Sequence, residues 1–301
     1  MTHYDLLIIG AGPAGYTASV YASRYQINHA IVGELPGGLV GEAHKICNWP
    51  GEKEITGFDL FMKMHDHVAD YDVKMFNTKV NEIKKEDDKF ILSLASDEEL
   101  SAKVILLVTG TKHRHLGIEA ENRLKGKGLS YCTTCDAGFY KNKITAVAGG
   151  GNSAMTAALY LGEVADKVYL FVRGTELKGE VAWMKAIEAN PKIEKVFGVE
   201  VKDILGEESV SGVQLSDGQE IKVDGLFVEI GSSPDNVLGE QLALEKDEYG
   251  YLSVNKDQST NVVGVYAAGD LTNESNNMRQ IVTAAAEGAI AAESIFKFLK
   301  R

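Results

Sequence analysis

Two stretches of the chain repeat the same order of hydrophobic and polar positions. The first has an apolar run over 4–9, a glycine-rich turn, a helix-compatible stretch over 16–25 and a second apolar run over 29–32. The second has apolar runs over 143–148 and 168–172, with a glycine-rich turn and a helical pattern between them. This order is typical of a βαβ unit with parallel strands. The sequence therefore predicts an α/β protein that contains two such units.

Each glycine-rich turn has the spacing of a dinucleotide-binding loop. In such a loop the first glycine allows a tight turn, the second lets the backbone approach a pyrophosphate, and the third allows close helix–strand packing. Two loops in a strand–turn–helix context are a much stronger signal than one, and two dinucleotide sites indicate a flavoprotein that passes electrons between cofactors. The aligned positions are Gly10 with Gly149, Gly12 with Gly151, and Gly15 with Ala154.

The residue that ends the second strand of each unit indicates which nucleotide binds there. Glu34 can accept hydrogen bonds from ribose hydroxyls, which suits the adenosine of FAD or NAD. Arg173, at the aligned position, suits the ribose 2′-phosphate of NADP. Ordinary surface charges at strand ends are the alternative interpretation.

The rest of the chain has weaker patterns. A helix is predicted over 58–71, a β-meander over 73–107 with a charged turn at 84–88, and a β-rich patch over 193–230. Near the C-terminus, a strand at 264–267 precedes an alanine-rich helix that starts at about Gln280.

Composition and charge restrict the function classes. The 301-residue chain has 45% hydrophobic and 25% charged residues, an ordinary mix for a globular protein of about two domains. Its net charge of −12 would repel nucleic acid and anionic membranes, so we expect neither as a partner. No run has the length of a membrane helix, and the N-terminus lacks the basic region of a signal peptide. We therefore expect a cytoplasmic protein.

The chain has three cysteines, and two of them form a C-x-x-C motif. Cys132 and Cys135 lie just before the second nucleotide-binding unit, at a spacing that lets both sulfurs meet within one turn. A zinc site is the competing interpretation, but zinc normally needs four ligands in paired motifs, and Cys47 is the only other cysteine. Redox chemistry is therefore favoured, with no metal. Asp136 follows directly and is a candidate proton relay, although a polar turn residue is the alternative.

Together these motifs resemble the low-molecular-weight thioredoxin reductases from one end of the chain to the other. The most specific feature is the C-x-x-C-D motif directly before the second glycine turn. The motifs are Gly10-Ala11-Gly12-Pro13-Ala14-Gly15, Pro36-Gly37-Gly38, Asn48-Trp49-Pro50-Gly51, Thr109-Gly110, Cys132-Thr133-Thr134-Cys135-Asp136, Gly149-Gly150-Gly151-Asn152-Ser153-Ala154, Ala268-Gly269-Asp270 and Arg279-Gln280.

The resemblance implies two Rossmann-like domains of the three-layer ββα type. A discontinuous FAD domain would cover 1–113 and 241–301, and an inserted NAD(P) domain would cover 114–240. It further implies a homodimer in which electrons pass from NADPH through FAD to the Cys132–Cys135 disulfide and on to thioredoxin or a thioredoxin-like protein. Cys135 would face the flavin, Cys132 would attack the disulfide of the partner, and Asp136 would relay a proton.

The resemblance also implies the binding residues for both cofactors. The candidates for FAD are Gly10, Gly12, Pro13, Ala14, Gly15, Glu34, Gly38, Asn48, Thr109, Gly110, Gly269, Asp270, Arg279, Gln280 and Ile281. The candidates for NAD(P) are Gly149, Gly151, Asn152, Ser153, Ala154, Arg173 and Lys178.

One departure from the family pattern concerns the electron donor. NADPH-dependent members usually carry His-Arg-Arg at the end of the second strand, with another Arg four residues on, whereas this chain has Val172-Arg173-Gly174 and Lys178. Because Lys offers a point charge where Arg offers a bidentate fork, the affinity for NADPH is in question. NADPH is the first expectation, NADH or use of both is the second, and a donor such as ferredoxin is the third.

Two further functions remain open at this stage. The same disulfide chemistry could run in reverse as a dithiol oxidase that passes electrons to oxygen. Alternatively, the chain could be a redox sensor that keeps the fold without turnover, although the intact cysteine pair and both glycine turns favour an enzyme.

Overall fold

A computed structural model describes residues 1–300, with the exception of the side chain of residue 277. Seventeen strands and eight α-helices are present within that range. The helices are α1 Pro13–Arg24, α2 Gly57–Ala69, α3 Glu119–Leu124, α4 Thr133–Asp136, α5 Asn152–Val164, α6 Val181–Ala189, α7 Val237–Gln241 and α8 Ile281–Leu299. The strands are β1 Thr2–Ile9, β2 His29–Val32, β3 Lys74–Phe76, β4 Val80–Glu86, β5 Lys89–Leu94, β6 Glu99–Leu107, β7 Thr111–His113, β8 Leu129–Ser130, β9 Ile144–Ala148, β10 Lys167–Val172, β11 Ile193–Phe197, β12 Val201–Leu205, β13 Gly212–Leu215, β14 Glu220–Ile221, β15 Gly225–Val228, β16 Ser232–Pro234 and β17 Val265–Ala267.

The chain divides into two compact units. The first unit contains residues 1–112 and the chain from 234 onward, and the second contains residues 113–233. The sequence predicts the C-terminal boundary of the second unit at 240/241, which is several residues after the boundary in the structure. Long-range bonds within the first unit account for this difference, because the Thr109 hydroxyl donates to the Asp235 carbonyl at 2.6 Å and the Asn236 amide donates to the Gly250 carbonyl at 2.6 Å.

The first unit is built on a seven-stranded sheet. Its strand order is β3-β2-β1-β6-β5-β4, and β17 pairs with the C-terminal half of β6. β1 pairs in parallel with both β2 and β6, while β4, β5 and the first half of β6 form an antiparallel meander. β1 is buried on both faces, which explains why its sequence is a continuous apolar run and not an alternating one.

Two long helices pack against each other beside this sheet. α1 begins with Pro13 at its first position, where a missing N–H costs nothing. α8 begins with a capping box, in which the side chains of Gln280 and Thr283 satisfy the free N–H groups of the first turn. The two helices approach closely at Gly288, where a Cβ atom would lie only 2.2 Å from the Ala14 carbonyl oxygen. Gly288 is therefore required for the close approach of the two helices.

A buried histidine ties α1 to β2. His29 Nδ1 donates to the Ile27 carbonyl at 2.9 Å, so in the neutral ring Nε2 accepts from the Ser19 hydroxyl at 2.8 Å. Burial lowers the pKa of His29, and the bond to Ile27 opposes that effect without reversing it.

This environment predicts a pH dependence of stability. The unfolded chain binds a proton at a pH where folded His29 does not, so the free energy of unfolding should fall as the pH drops below about 6.5, by at most about 1.4 kcal/mol per pH unit. Denaturant unfolding of the wild type and of His29→Gln between pH 5 and 8 checks this. The difference in slope between the two proteins isolates His29, and equal slopes would contradict the prediction.

The second unit has a parallel sheet with the same βαβ start as the first. Its five strands have the order β11-β10-β9-β15-β8, and a separate antiparallel sheet contains β12, β13 and β14. The segment β9-α5-β10 is the second predicted βαβ unit, and its strands are parallel. The prediction of two Rossmann-like α/β units is therefore confirmed.

Among residues 1–300, no helix combines the length and the apolar character that crossing a bilayer requires.

Candidate functional site

The first glycine turn lies between β1 and α1 and leaves its middle glycine open. A Cβ atom on Gly10 would lie 2.2 Å from the Val108 carbonyl oxygen, and one on Gly15 would lie 2.2 Å from the Gly10 carbonyl oxygen. Gly10 also has a φ of +123°, which disfavours any side chain. In contrast, apart from Gly12 itself and its two chain neighbours, no atom of the described residues lies within 4 Å of a Cβ on Gly12, which is the N-cap residue of α1 and provides no side-chain cap. The open N-terminus of α1 is therefore suited to a phosphate group.

Two other loops meet this turn. A Cβ atom on Gly38 would lie 3.8 Å from Gly12 Cα, and a Cβ on Gly269 would lie 3.1 Å from Ala14 Cβ. Both Gly38 and Gly269 have positive φ angles, +67° and +75°. The structure thus brings together three segments that the sequence predicts as parts of a flavin site.

Asp270 lies on the turn of 3-10 helix that follows β17, and its carboxyl group is largely buried. Burial raises the pKa of Asp270 to about 6; Arg279 lowers it and Glu287 raises it further. Arg279 stacks on Tyr251, with its guanidinium carbon 3.6 Å from the ring centroid. This packing fixes a cation close to a carboxylate at the N-terminal side of α8.

The Glu287 carboxylate forms hydrogen bonds to the loop that contains Gly269, a role that no sequence motif indicates. It is 5% exposed and accepts hydrogen bonds from the Gly269 N–H at 2.7 Å, the Thr272 hydroxyl at 3.2 Å and the Ser275 hydroxyl at 2.5 Å. Burial raises its pKa, and these three bonds oppose that effect. A buried carboxyl group with three donors fixes the loop that carries Asp270.

The remaining first-unit candidates differ in their surroundings. The Asn48 amide donates to Gln280 Oε1 at 2.9 Å, so these two candidates are neighbours, and Ile281 is the first residue of α8. Glu34 lies two residues after the end of β2, and its side chain is 60% exposed and pairs with Lys79 at 3.2 Å. The Thr109 hydroxyl is used by the bond to Asp235, and Gly110 has a φ of +66° with open space around it.

The second glycine turn has the same construction as the first. A Cβ atom on Gly149 would lie 2.2 Å from the Glu229 carbonyl oxygen, whereas the nearest neighbour of one on Gly151 is 3.8 Å away. Gly151 is the N-cap residue of α5 and again provides no side-chain cap. Ala154 is fully buried beneath the turn.

Asn152 and Lys178 hold the loop after β10 against this turn. The Lys178 N–H donates to the Gly150 carbonyl at 2.8 Å, and Asn152 Oδ1 accepts from the Glu180 N–H at 2.8 Å. The Asn152 side chain thus binds Glu180 through both of its polar atoms, because its amide nitrogen also donates to Glu180 Oε1 at 3.4 Å. Ser153 lies beside it on the first turn of α5.

A cavity of about 700 Å³ opens in front of this turn, entirely within the second unit. The residues that line it include all the NAD(P) candidates except Ala154. The volume of the cavity is in the range found for small-molecule and cofactor sites. The charged residues of its lining are Arg114, Arg173, Glu176, Lys178, Glu200, Lys202 and Glu229. Of these, only Arg173 and Lys178 are predicted from the sequence as nucleotide-binding residues. The sequence around Arg114 is typical of a solvated loop, but Arg114 and His115 line the cavity.

The two cysteines are bonded to each other. Cys132 is the N-cap residue of α4, and its Sγ accepts from the Cys135 N–H at 3.2 Å. After reduction this N–H would stabilise negative charge on Cys132 Sγ. Cys135 is exposed and Asp136 is half-buried at the last position of α4, while Phe139, just beyond, is 73% exposed.

Tyr131 precedes Cys132 and anchors this segment. Its hydroxyl donates to Glu121, which is 4% exposed and also accepts from the Leu116 and Gly117 N–H groups at 2.8 Å and 2.9 Å. Within the described residues, no cluster of three or more His, Cys, Asp or Glu side chains has the arrangement of a metal site.

Comparison with known proteins identifies the relatives of this arrangement. A family model described as pyridine nucleotide-disulphide oxidoreductase matches residues 4–288. The chain is 36% identical to thioredoxin reductase from Mycoplasma pneumoniae over 298 residues, which cover 97% of this chain and 94% of that protein. It matches the crystal structure of Lactococcus lactis thioredoxin reductase with a TM-score of 0.94 at 31% identity, covering 99% of both chains.

A longer relative is also similar. An alkyl hydroperoxide reductase component from Staphylococcus epidermidis is 34% identical over 304 aligned residues, which cover 99% of this chain but only 59% of that protein. The chain therefore spans about three-fifths of the length of this relative.

Proposed function

Because this chain belongs to the pyridine nucleotide-disulphide oxidoreductase family, we propose that it reduces a protein disulfide, with thioredoxin or a thioredoxin-like protein as its substrate. The observation that carries this proposal is the bonded Cys132–Cys135 pair, in a chain that also has two open glycine turns. The likeness to thioredoxin reductases over nearly the whole chain supports the same function.

We assign FAD to the first unit. The residues fit this cofactor, because the open Gly12 leaves room for a pyrophosphate and Asp270 offers a carboxylate for a ribityl hydroxyl. Arg279 and the N-terminus of α8 would stabilise negative charge on the ring system. When bound, a flavin accepts a hydride from a nicotinamide and supplies two electrons to a disulfide. The other proposed contacts are Gly10, Pro13, Ala14, Gly15, Glu34, Gly38, Asn48, Thr109, Gly110, Gly269, Gln280 and Ile281.

We assign the nicotinamide nucleotide to the cavity of the second unit, with NADPH preferred over NADH. Arg173 directly follows β10 and lines the cavity, where a ribose 2′-phosphate is expected, and Lys178 lies on the same loop. The N-terminus of α5, with Gly149, Gly151, Asn152, Ser153 and Ala154, would receive the pyrophosphate.

The cysteine pair would transfer two electrons to the substrate by thiol–disulfide exchange. With Cys132 and Cys135 reduced, the Cys132 thiolate attacks one sulfur of the substrate disulfide, and the other substrate sulfur leaves as a thiolate. Cys135 then attacks Cys132 Sγ, which restores the Cys132–Cys135 disulfide and releases the substrate with both thiols. Asp136 is proposed to relay a proton to a leaving thiolate. The exposed Phe139 provides an apolar contact beside the pair.

We further propose a homodimer in the cytoplasm. Apolar side chains are exposed on three helices of the first unit, namely Tyr21 on α1, Phe58 on α2, and Val282 and Ile290 on α8. A second copy of the chain would cover such a surface. Light scattering coupled to size exclusion tests the dimer, and a monomeric mass at micromolar concentration would exclude it.

The experiment that tests the function uses the flavin-loaded protein with oxidised thioredoxin. NADPH should drive the appearance of two thiols per thioredoxin, with a higher kcat/KM than NADH. Oxygen consumption with small dithiols, in the absence of any nucleotide, would support the dithiol oxidase instead. Thioredoxin reduction by reduced ferredoxin but by neither nucleotide would overturn the proposed donor.

Asp270 gives a pH-dependent prediction. Its carboxylate accepts a hydrogen bond from a ribityl hydroxyl more strongly than its neutral form does. Because burial raises its pKa to about 6, the affinity for FAD should fall as the pH drops below that value and should stay level above it. Fluorescence titration of apoprotein with FAD at pH 5–8 measures this. Asp270→Asn should bind more weakly at pH 8 and lose the pH dependence; an unchanged profile in the variant would contradict the role of Asp270.

A further inference from the structure

Glu200 lies next to Arg173 because two backbone hydrogen bonds join the segments that follow β10 and β11. The Gly198 N–H donates to the Gly174 carbonyl at 3.0 Å, and the Val199 N–H donates to the Val172 carbonyl at 3.3 Å. Glu200, which directly precedes β12, therefore reaches the end of β10. The sequence lacks an acidic residue at the end of β10 itself, but the fold supplies one from the neighbouring segment.

The Glu200 carboxylate lies between two cations of the cavity lining. Its Oε1 is 3.7 Å from Arg173 Nη1, and its Oε2 is 3.0 Å from Lys202 Nζ. Lys202, and to a smaller extent Arg173, lower the pKa of Glu200, so the group is a carboxylate at neutral pH. Arg173 and Lys202 are 85% and 57% exposed, so both cations are accessible to a ligand.

We infer that Glu200 is a specificity-determining residue for the nucleotide, and that it reduces the preference for NADPH over NADH. An anionic carboxylate between Arg173 and Lys202 occupies the position that a ribose 2′-phosphate would take, and it repels that phosphate. The same carboxylate is an acceptor for the 2′-hydroxyl of NADH. The inference depends on the proposed nucleotide site, which it refines.

A purely structural role for these ion pairs is the competing explanation. Exposed ion pairs contribute little to stability, so neutralising Glu200 would then leave both folding and ligand binding almost unchanged. The two roles differ in one respect: a specificity residue changes the binding of a 2′-phosphate and leaves the binding of the unphosphorylated ribose nearly constant.

The test measures the binding of two adenosine fragments by calorimetry, so that it does not depend on turnover. Adenosine 2′,5′-bisphosphate carries the 2′-phosphate, and adenosine 5′-monophosphate lacks it. Glu200→Gln keeps the size of the side chain and removes its charge. We expect the variant to bind the bisphosphate about five- to tenfold more tightly, with less than about a twofold change for the monophosphate.

Two further variants test the role of Lys202 and control for the loss of an exposed glutamate. Lys202→Gln should weaken the bisphosphate about fivefold, because it removes one of the two cations. Glu194→Gln is the matched control, since Glu194 is also an exposed glutamate of the second unit that pairs with a lysine, Lys167, but lies outside the cavity. Its binding of both fragments should equal that of the wild type.

The results of these titrations distinguish a failure of the role of Glu200 from a failure of the proposed nucleotide site. Equal changes for both fragments, no change, or weaker binding of the bisphosphate by Glu200→Gln would overturn the inference while the nucleotide site stands. Failure of both fragments to bind the wild type and the variant would overturn the inference together with the nucleotide site.

Discussion

Replacing Cys135 with serine is expected to reduce thioredoxin turnover by at least about a thousandfold, because the second sulfur of the exchange is removed. Cys132 remains as a free thiol whose Sγ lies within reach of the residue 135 N–H. It should attack a substrate disulfide once and then remain bound. The suitable substrate is a thioredoxin with one active-site cysteine, activated as a mixed disulfide with thionitrobenzoate. When Cys135→Ser is combined with Cys47→Ser, one equivalent of the coloured thiolate and a covalent adduct in the mass spectrum are the expected results.

The matched control is the free cysteine of the first unit. Cys47 is exposed and takes no part in the Cys132–Cys135 bond. Cys47→Ser should therefore retain full turnover, and Cys132→Ser should form no adduct at position 135. Normal turnover by Cys135→Ser, or loss of turnover in Cys47→Ser, would show that the electrons follow another route.

Replacing Gly12 with valine is expected to weaken FAD binding by at least about a hundredfold, the equivalent of losing two hydrogen bonds to a charged group. The fold itself should tolerate the change, because no atom of the described residues beyond the two chain neighbours lies within 4 Å of a Cβ at this position and its φ of −91° suits any residue. The valine would instead occupy the space that a pyrophosphate needs. Flavin content after purification and titration of apoprotein with FAD measure the effect.

Gly151 provides the crossed control. It has the same position at the N-terminus of α5, a φ of −95° and a similarly open environment. Gly151→Val should retain FAD and lose the binding of adenosine fragments, the reverse of the effect in Gly12→Val. Loss of both ligands in either variant would point to unfolding, which circular dichroism detects, and the same loss in a folded variant would contradict the assignment of one cofactor to each unit.

The local features of the fold could be predicted from the sequence. The two βαβ units follow from short-range patterns, namely apolar runs that form buried strands and glycine spacings that only a tight turn before a helix requires. The helices at Gly57–Ala69 and Ile281–Leu299 lie close to their predicted positions because periodicity and caps define them locally. The predicted fold class and the resemblance to thioredoxin reductases are both confirmed.

The features that were not predicted depend on contacts between residues far apart in the chain. Glu287 holds the Gly269 loop, and Tyr251 stacks on Arg279, yet neither has a local motif. Glu200 reaches Arg173 only because backbone hydrogen bonds join the segments that follow β10 and β11. The later of the two unit boundaries differs from the prediction for the same reason. The individual roles of the cysteines, Asp136 and the cofactor contacts stay predictions.

In the proposed function, electrons from a nicotinamide nucleotide reach the Cys132–Cys135 pair. The most direct test of this electron transfer is to add one equivalent of NADPH to the flavin-loaded protein without oxygen, alkylate the thiols and locate the labels by mass spectrometry. We expect label on both Cys132 and Cys135, beyond the label that Cys47 carries before reduction, and little or none on this pair in Gly151→Val. If dithionite reduces the pair but NADPH and NADH each leave label on Cys47 alone, electrons from a nicotinamide nucleotide do not reach Cys132 and Cys135.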